Sequence, residues 1–102
     1  MLDEIVMKQD RIEDLCRKHH VLRLAVFGSA LRDDFNPSQS DIDFVVEFGP
    51  LSVGKYADNY FAFHHALTAL LGRKIDVISS RNIRNPFFRH ELETTQETLY
   101  AA

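Results

Sequence analysis

A chain of 102 residues, 45% of them hydrophobic and 26% charged, suffices for one packed domain with a modest core. It is too short for a catalytic unit plus a separate substrate-holding unit, and too apolar to remain disordered. The formal net charge of −3 excludes a general electrostatic attraction to nucleic acid, so no direct DNA binding is expected.

Residues 1–19 read as an amphipathic helix: Ile5, Ile12, Leu15 and Cys16 recur at helical spacing, with charged residues on the other faces. The run Val21 to Phe27, ended by Gly28-Ser29, reads as a buried strand entering a turn. Residues 33–40 are rich in Asp, Asn, Pro and Ser and read as a loop after a short helical turn. Asp41 to Phe48 is a second strand, closed by Gly49-Pro50. From Tyr56 the positions Tyr56, Tyr60, Phe63, Leu67 and Leu70 step by four, three, four and three, which is a helix burying one stripe with Gly72 as its C-cap. Lys74 to Ile78 is a third strand. Asn85-Pro86 marks an N-cap and first helical position, and a last helix is expected from there towards Leu99. The order predicts a single α/β domain over residues 1–102, with helices packed on a small sheet.

The longest apolar stretches fall short of bilayer thickness. The lone Cys16 cannot close an internal disulfide, and Met1-Leu2-Asp3-Glu4 lacks the basic and apolar regions of a secretory signal. A cytoplasmic protein without membrane association is expected. Charge is uneven: Arg73, Lys74, Arg81, Arg84 and Arg89 lie in the C-terminal third, where they could meet an anionic ligand or simply be solvated.

The chemistry-bearing segment is Gly28-Ser29, eleven intervening residues, then Asp41-Ile42-Asp43, with Asp76 later inside Lys74-Ile75-Asp76-Val77-Ile78. Alternation along a strand puts Asp41 and Asp43 on one face, about 7 Å apart, while Ile42, Phe44 and Val46 take the other and anchor the strand. Carboxylates are the hard ligands that suit Mg²⁺ or Mn²⁺, and three converging acids repel one another without a cation. Two ions about 4 Å apart could align a hydroxyl with an α-phosphate and neutralise leaving pyrophosphate. Gly28 lets a phosphate approach the backbone, and Ser29 adds a hydroxyl and an amide at a turn leading into a helix. A lone Asp-x-Asp on a strand reads more readily as a solvated sheet face; the Gly-Ser turn and the third acid are what weigh against that.

Other motifs fail on spacing. An EF-hand from Asp34 would need glycine at Gln39 and glutamate at Val45. Gly28-Ser29 lacks the Gly-Lys-Ser/Thr ending of a P-loop. Cys16, His19 and His20, and the pair His64-His65, could suggest zinc, but adjacent histidines diverge on a helix and no second ligand pair appears at finger spacing. His90-Glu91 is followed by Thr94 where a zinc-protease helix needs histidine. The aromatics Tyr56, Tyr60, Phe61, Phe63, Phe87, Phe88 and Tyr100 exceed one buried stripe per helix, which fits either a small core or a partner surface.

Gly28-Ser29 together with Ser40-Asp41-Ile42-Asp43 and the later Asp76 resembles the polymerase β-type nucleotidyltransferase superfamily. In size and layout the chain is similar to its minimal nucleotidyltransferases, and specifically to the antitoxin of toxin–antitoxin modules in which such a domain accompanies a HEPN-family ribonuclease. The resemblance implies a small mixed sheet flanked by helices, and a short helix after Gly-Ser. It also implies metal ligation by Asp41 and Asp43, with Asp76 as third ligand or as base. Gly28, Ser29 and Arg32 would be the nucleotide-binding residues. Family members often carry arginine directly after the serine and glycine at the end of that turn; this chain has Ala30 and Asp33, with Arg32 keeping a basic group nearby. The implied activity is transfer of AMP from ATP, with Mg²⁺ or Mn²⁺, to a tyrosine of a HEPN-family toxin in a hetero-oligomer. The alternative is a non-catalytic module that neutralises its partner by occlusion. Transfer to RNA or a small molecule is disfavoured because no second domain is present to hold such an acceptor.

Overall fold

The computed structural model describes residues 3–28, 41–51 and 54–102. Its elements are α1 (Asp3–Met7), α2 (Gln9–Lys18), β1 (Val21–Phe27), β2 (Ile42–Phe48), α3 (Tyr56–Leu71), β3 (Ile75–Ser79), a 3₁₀ turn (Ser80–Asn82), α4 (Pro86–Thr95) and β4 (Glu97–Ala101). The loop expected over residues 33–40 lies outside the described residues.

Among the described residues four strands form one mixed sheet in the order β3-β2-β1-β4. β1 is antiparallel to β2 and β4, whereas β2 and β3 are parallel. The parallel pair requires a crossover, and α3 supplies it. Alternation then divides the sheet. Ile42, Phe44 and Val46 of β2, Leu24 and Val26 of β1, and Ile75 and Val77 of β3 face a core closed by Ile5, Ile12 and Cys16 from α1 and α2 and by Phe63, Leu67 and Leu71 from α3. The other face carries Asp43 and Val45 of β2 and Ala25 of β1. α4 covers part of it: Leu92, Ala25 and Val45 line one cavity of about 240 Å³.

Local chemistry explains the helix ends. Gly72 takes the left-handed conformation at φ 66°, and its N–H donates to the Thr68 carbonyl at 2.8 Å, which satisfies an otherwise orphaned acceptor at the end of α3. Asn85 caps α4 by accepting from the N–H groups of Phe87 at 2.8 Å and Phe88 at 3.3 Å, with Pro86 following at the first turn.

Three expectations are corrected. The first helix is two: it breaks at Lys8, whose Nζ donates to the Leu70 carbonyl at 2.9 Å, so its charge satisfies the C-terminal end of α3. The second strand begins at Ile42 and the third runs from Ile75 to Ser79, leaving Asp41 and Lys74 just outside them. The last helix ends at Thr95, and Glu97–Ala101 is a strand on β1. That strand buries Leu99 in the core, which a helix continuing past Thr95 would have carried away from the sheet. Both sheet edges are capped by side chains, Tyr60 donating its hydroxyl to the Val77 carbonyl on β3 and Gln9 its amide to the Leu99 carbonyl on β4, which blunts two sites of strand addition. No helix among the described residues is long and apolar enough to cross a membrane.

Candidate active site

The parallel register pairs Ile42 with Ile75, Asp43 with Asp76 and Phe44 with Val77. Neighbouring strands lie about 4.8 Å apart, so Asp43 and Asp76 leave the same face of the sheet as immediate cross-strand neighbours. Continued one residue back, the same register sets Asp41 opposite Lys74. An ion pair of 3.7 Å joins Lys74 Nζ to Asp41 Oδ2, with the lysine side chain 81% exposed and the aspartate 30%. The residues between these, Ile42, Ile75 and Val77, are buried on the opposite face. The hydrophobic alternation that anchors β2 and β3 therefore presents the acids outward.

Gly28 follows β1 and sits beside Asp43, because Phe27 is Asp43's antiparallel register partner. Its φ is +71°, and a Cβ added there would stand 2.6 Å from Asp43 Oδ2. Glycine is required twice over: for the left-handed backbone and for the space that the carboxylate occupies. Next to it Phe27 meets Phe88 of α4 edge to face, with ring centroids 6.3 Å apart. The Asn85 cap thus holds an aromatic wall against the end of β1.

The sheet brings Asp41, Asp43 and Asp76 to one face and Gly28 to their side. Ser29 and Arg32 lie outside the described residues. Among the described residues no three His, Cys, Asp or Glu side chains are gathered closely enough to hold a metal ion as they stand. Asp41 pairs with Lys74, and Asp43 Oδ2 lies beside Gly28. The donors nonetheless fit a hard divalent cation in kind, being all carboxylate oxygens on one sheet face, with a glycine that leaves room for the Asp43 carboxylate. Lys74 was expected only as one of the basic residues that could meet an anionic ligand, and the contact of Phe27 with Phe88 was not expected at the site. The aromatic contact depends on the packing of α4, which no local pattern reveals. The histidines stand apart from this face: His19 packs its ring on Phe63 and pairs its Nδ1 with the Leu15 carbonyl at 2.9 Å.

The chain belongs to the nucleotidyltransferase domain family, whose model matches residues 10–99. It is 33% identical over 92 residues to the "putative protein adenylyltransferase" MJ1379 of Methanocaldococcus jannaschii, covering 90% of this chain and 88% of that one. Its fold is that of a solved structure described as a "putative minimal nucleotidyltransferase", with a TM-score of 0.75, 26% identity, and coverage of 94% of this chain and 95% of the other. It is also the fold of a chain in the complex of a tri-AMPylated Shewanella oneidensis HEPN toxin with its MNT antitoxin. There the TM-score is 0.64 at 16% identity, covering 95% of this chain and 72% of that one.

Proposed function

We propose that this nucleotidyltransferase moves AMP from ATP, with Mg²⁺ or Mn²⁺, onto a tyrosine hydroxyl of a HEPN-type ribonuclease, and so acts as its antitoxin in the cytoplasm. The observation that carries the reading is the cross-strand pairing of Asp43 with Asp76 beside Gly28. The adenylyltransferase name of a relative at 33% identity and the AMPylated toxin in a complex of the same fold support the donor and the partner.

Asp41, Asp43 and Asp76 are the residues that would hold the metal. Bound there, a divalent cation neutralises triphosphate charge and favours ionisation of the attacking hydroxyl. Gly28 leaves room for the Asp43 carboxylate and lets phosphate approach the backbone, and Ser29 and Arg32 supply donors to its oxygens. Asp76, on the edge strand and exposed to solvent, is where an acceptor brought by a second protein can arrive. It takes the phenol proton as the tyrosine oxygen bonds to the α-phosphorus and the bond to the bridging oxygen of pyrophosphate breaks. A phenol suits this step because its proton is lost far more readily than that of serine. Each transferred AMP leaves a phosphate charge on the partner, which repels an RNA backbone.

The test is incubation with ATP, Mg²⁺ and a HEPN-type ribonuclease as candidate partner, followed by mass measurement of both chains. AMP added to a tyrosine of the ribonuclease is the expected result. Tight complex formation with no added mass, inhibition persisting when Asp43 is asparagine, would instead identify a module that works by occlusion.

A further inference from the structure

Asp41 and Lys74, each one residue before the ladder that pairs Asp43 with Asp76, are joined by an ion pair. An exposed lysine beside a carboxylate cluster is commonly a solvated surface charge. Here two placements argue otherwise. Lys74 stands one residue before β3, two positions from Asp76. Its ammonium is 3.7 Å from one of the three carboxylates that would hold metal.

We propose that Lys74 is the resting counter-ion of the site: its ammonium occupies the Asp41 carboxylate until a divalent cation takes that carboxylate, and the freed ammonium then serves the phosphates of the nucleotide. This rests on the reading of Asp41, Asp43 and Asp76 as metal ligands. The charges impose the sequence of events. Without a cation, three acids on one face repel one another, and a lysine on a flexible stem relieves part of the repulsion. Once metal compensates Asp41, the attraction that held the ammonium weakens, and triphosphate oxygens arriving at the same face become its best partners. A lysine suits this exchange better than an arginine, because a point charge with rotatable donors makes no bidentate clamp on the carboxylate that metal must capture.

The proposal makes two forecasts of opposite sign for one substitution. Lys74→Gln should tighten Mn²⁺ binding measured without nucleotide, by electron paramagnetic resonance or calorimetry, about two- to fivefold, the range of an exposed ion pair. The same variant should raise the KM for ATP at saturating metal. Lys74→Arg should bind free Mn²⁺ more weakly than the wild type while keeping the KM for ATP near the wild-type value. A lysine that merely stabilised the fold would lower the melting temperature and move both constants in the unfavourable direction. The proposal is overturned if Lys74→Gln binds Mn²⁺ no more tightly than the wild type while Asp43→Asn abolishes binding; metal ligation by the acids would survive that result. Tighter Mn²⁺ binding in Lys74→Gln, with no AMP transferred to any ribonuclease by any variant, would uphold the counter-ion role and sink the transferase reading instead.

Discussion

Asp43 and Asp76 occupy matching positions on β2 and β3, two strands running in the same direction, so that acids separated by 33 positions in the chain leave the sheet as cross-strand neighbours. Like charges at directly opposed positions destabilise a sheet by about 0.2–1 kcal/mol. Their neutralisation should therefore relieve that repulsion. Asp43→Asn and Asp76→Asn are expected to abolish AMP transfer, yet to unfold in urea, without metal, at midpoints equal to or above the wild-type value. Midpoints well below it would make the acids structural.

Gly28 protects the same arrangement from the side. An added methyl group would press on Asp43 Oδ2 at 2.6 Å and would strain a backbone at φ +71°. Gly28→Ala should cost about 1 kcal/mol of stability and lower transfer at least about tenfold through displacement of the carboxylate. Full activity in a stably folded Gly28→Ala protein would show that the position of the Asp43 carboxylate is not critical.

How far the sequence discloses this site depends on how local each cause is. Val21–Phe27, the α3 stripe and the caps at Gly72 and Asn85 are written in residues a few positions apart, and the structure follows them. Asp43 and Asp76 face the same way because the alternation of Ile42, Phe44, Ile75 and Val77 leaves them no other face. The break at Lys8 depends instead on the Leu70 carbonyl 62 positions away, and β4 on the edge of β1. Neither partner is visible in a local window, so Glu97–Ala101 read as the end of a helix. The pairing of Asp41 with Lys74 was hidden for the same reason: it follows from the parallel register, and only strand direction reveals it.

Asn85 links helix stability to the wall of the site, since its side chain caps the helix that carries Phe88 onto Phe27. Asn85→Ala should cost about 1 kcal/mol, and amide exchange at Phe87 and Phe88 should quicken more than exchange in α3. Equal protection of both helices in the variant would remove the cap from the account.

Cys16 is fully buried, and burial, aided by the nearby Glu13 carboxylate, pushes its thiol up from an ordinary 9.0 to about 12. The folded chain thus favours the protonated thiol. Its contribution to stability is fully present below pH 9.0 and is lost as pH rises towards 12, because the unfolded thiol ionises first. Iodoacetamide at pH 8 should modify the folded protein far more slowly than the urea-unfolded chain. The urea midpoint should also fall more steeply above pH 9 in the wild type than in Cys16→Ala. Equally fast alkylation of both states would contradict the burial of this thiol.

The central claim is that a nucleotidyltransferase site on this small domain inactivates a ribonuclease by modification rather than by occupancy. It is tested by exposing the partner ribonuclease briefly to a substoichiometric amount of this protein with ATP and Mg²⁺, removing the protein, and assaying RNA cleavage. The account predicts that cleavage stays lost, that the ribonuclease has gained AMP on a tyrosine, and that Asp43→Asn leaves it active. Full recovery of cleavage with no added mass would contradict the account.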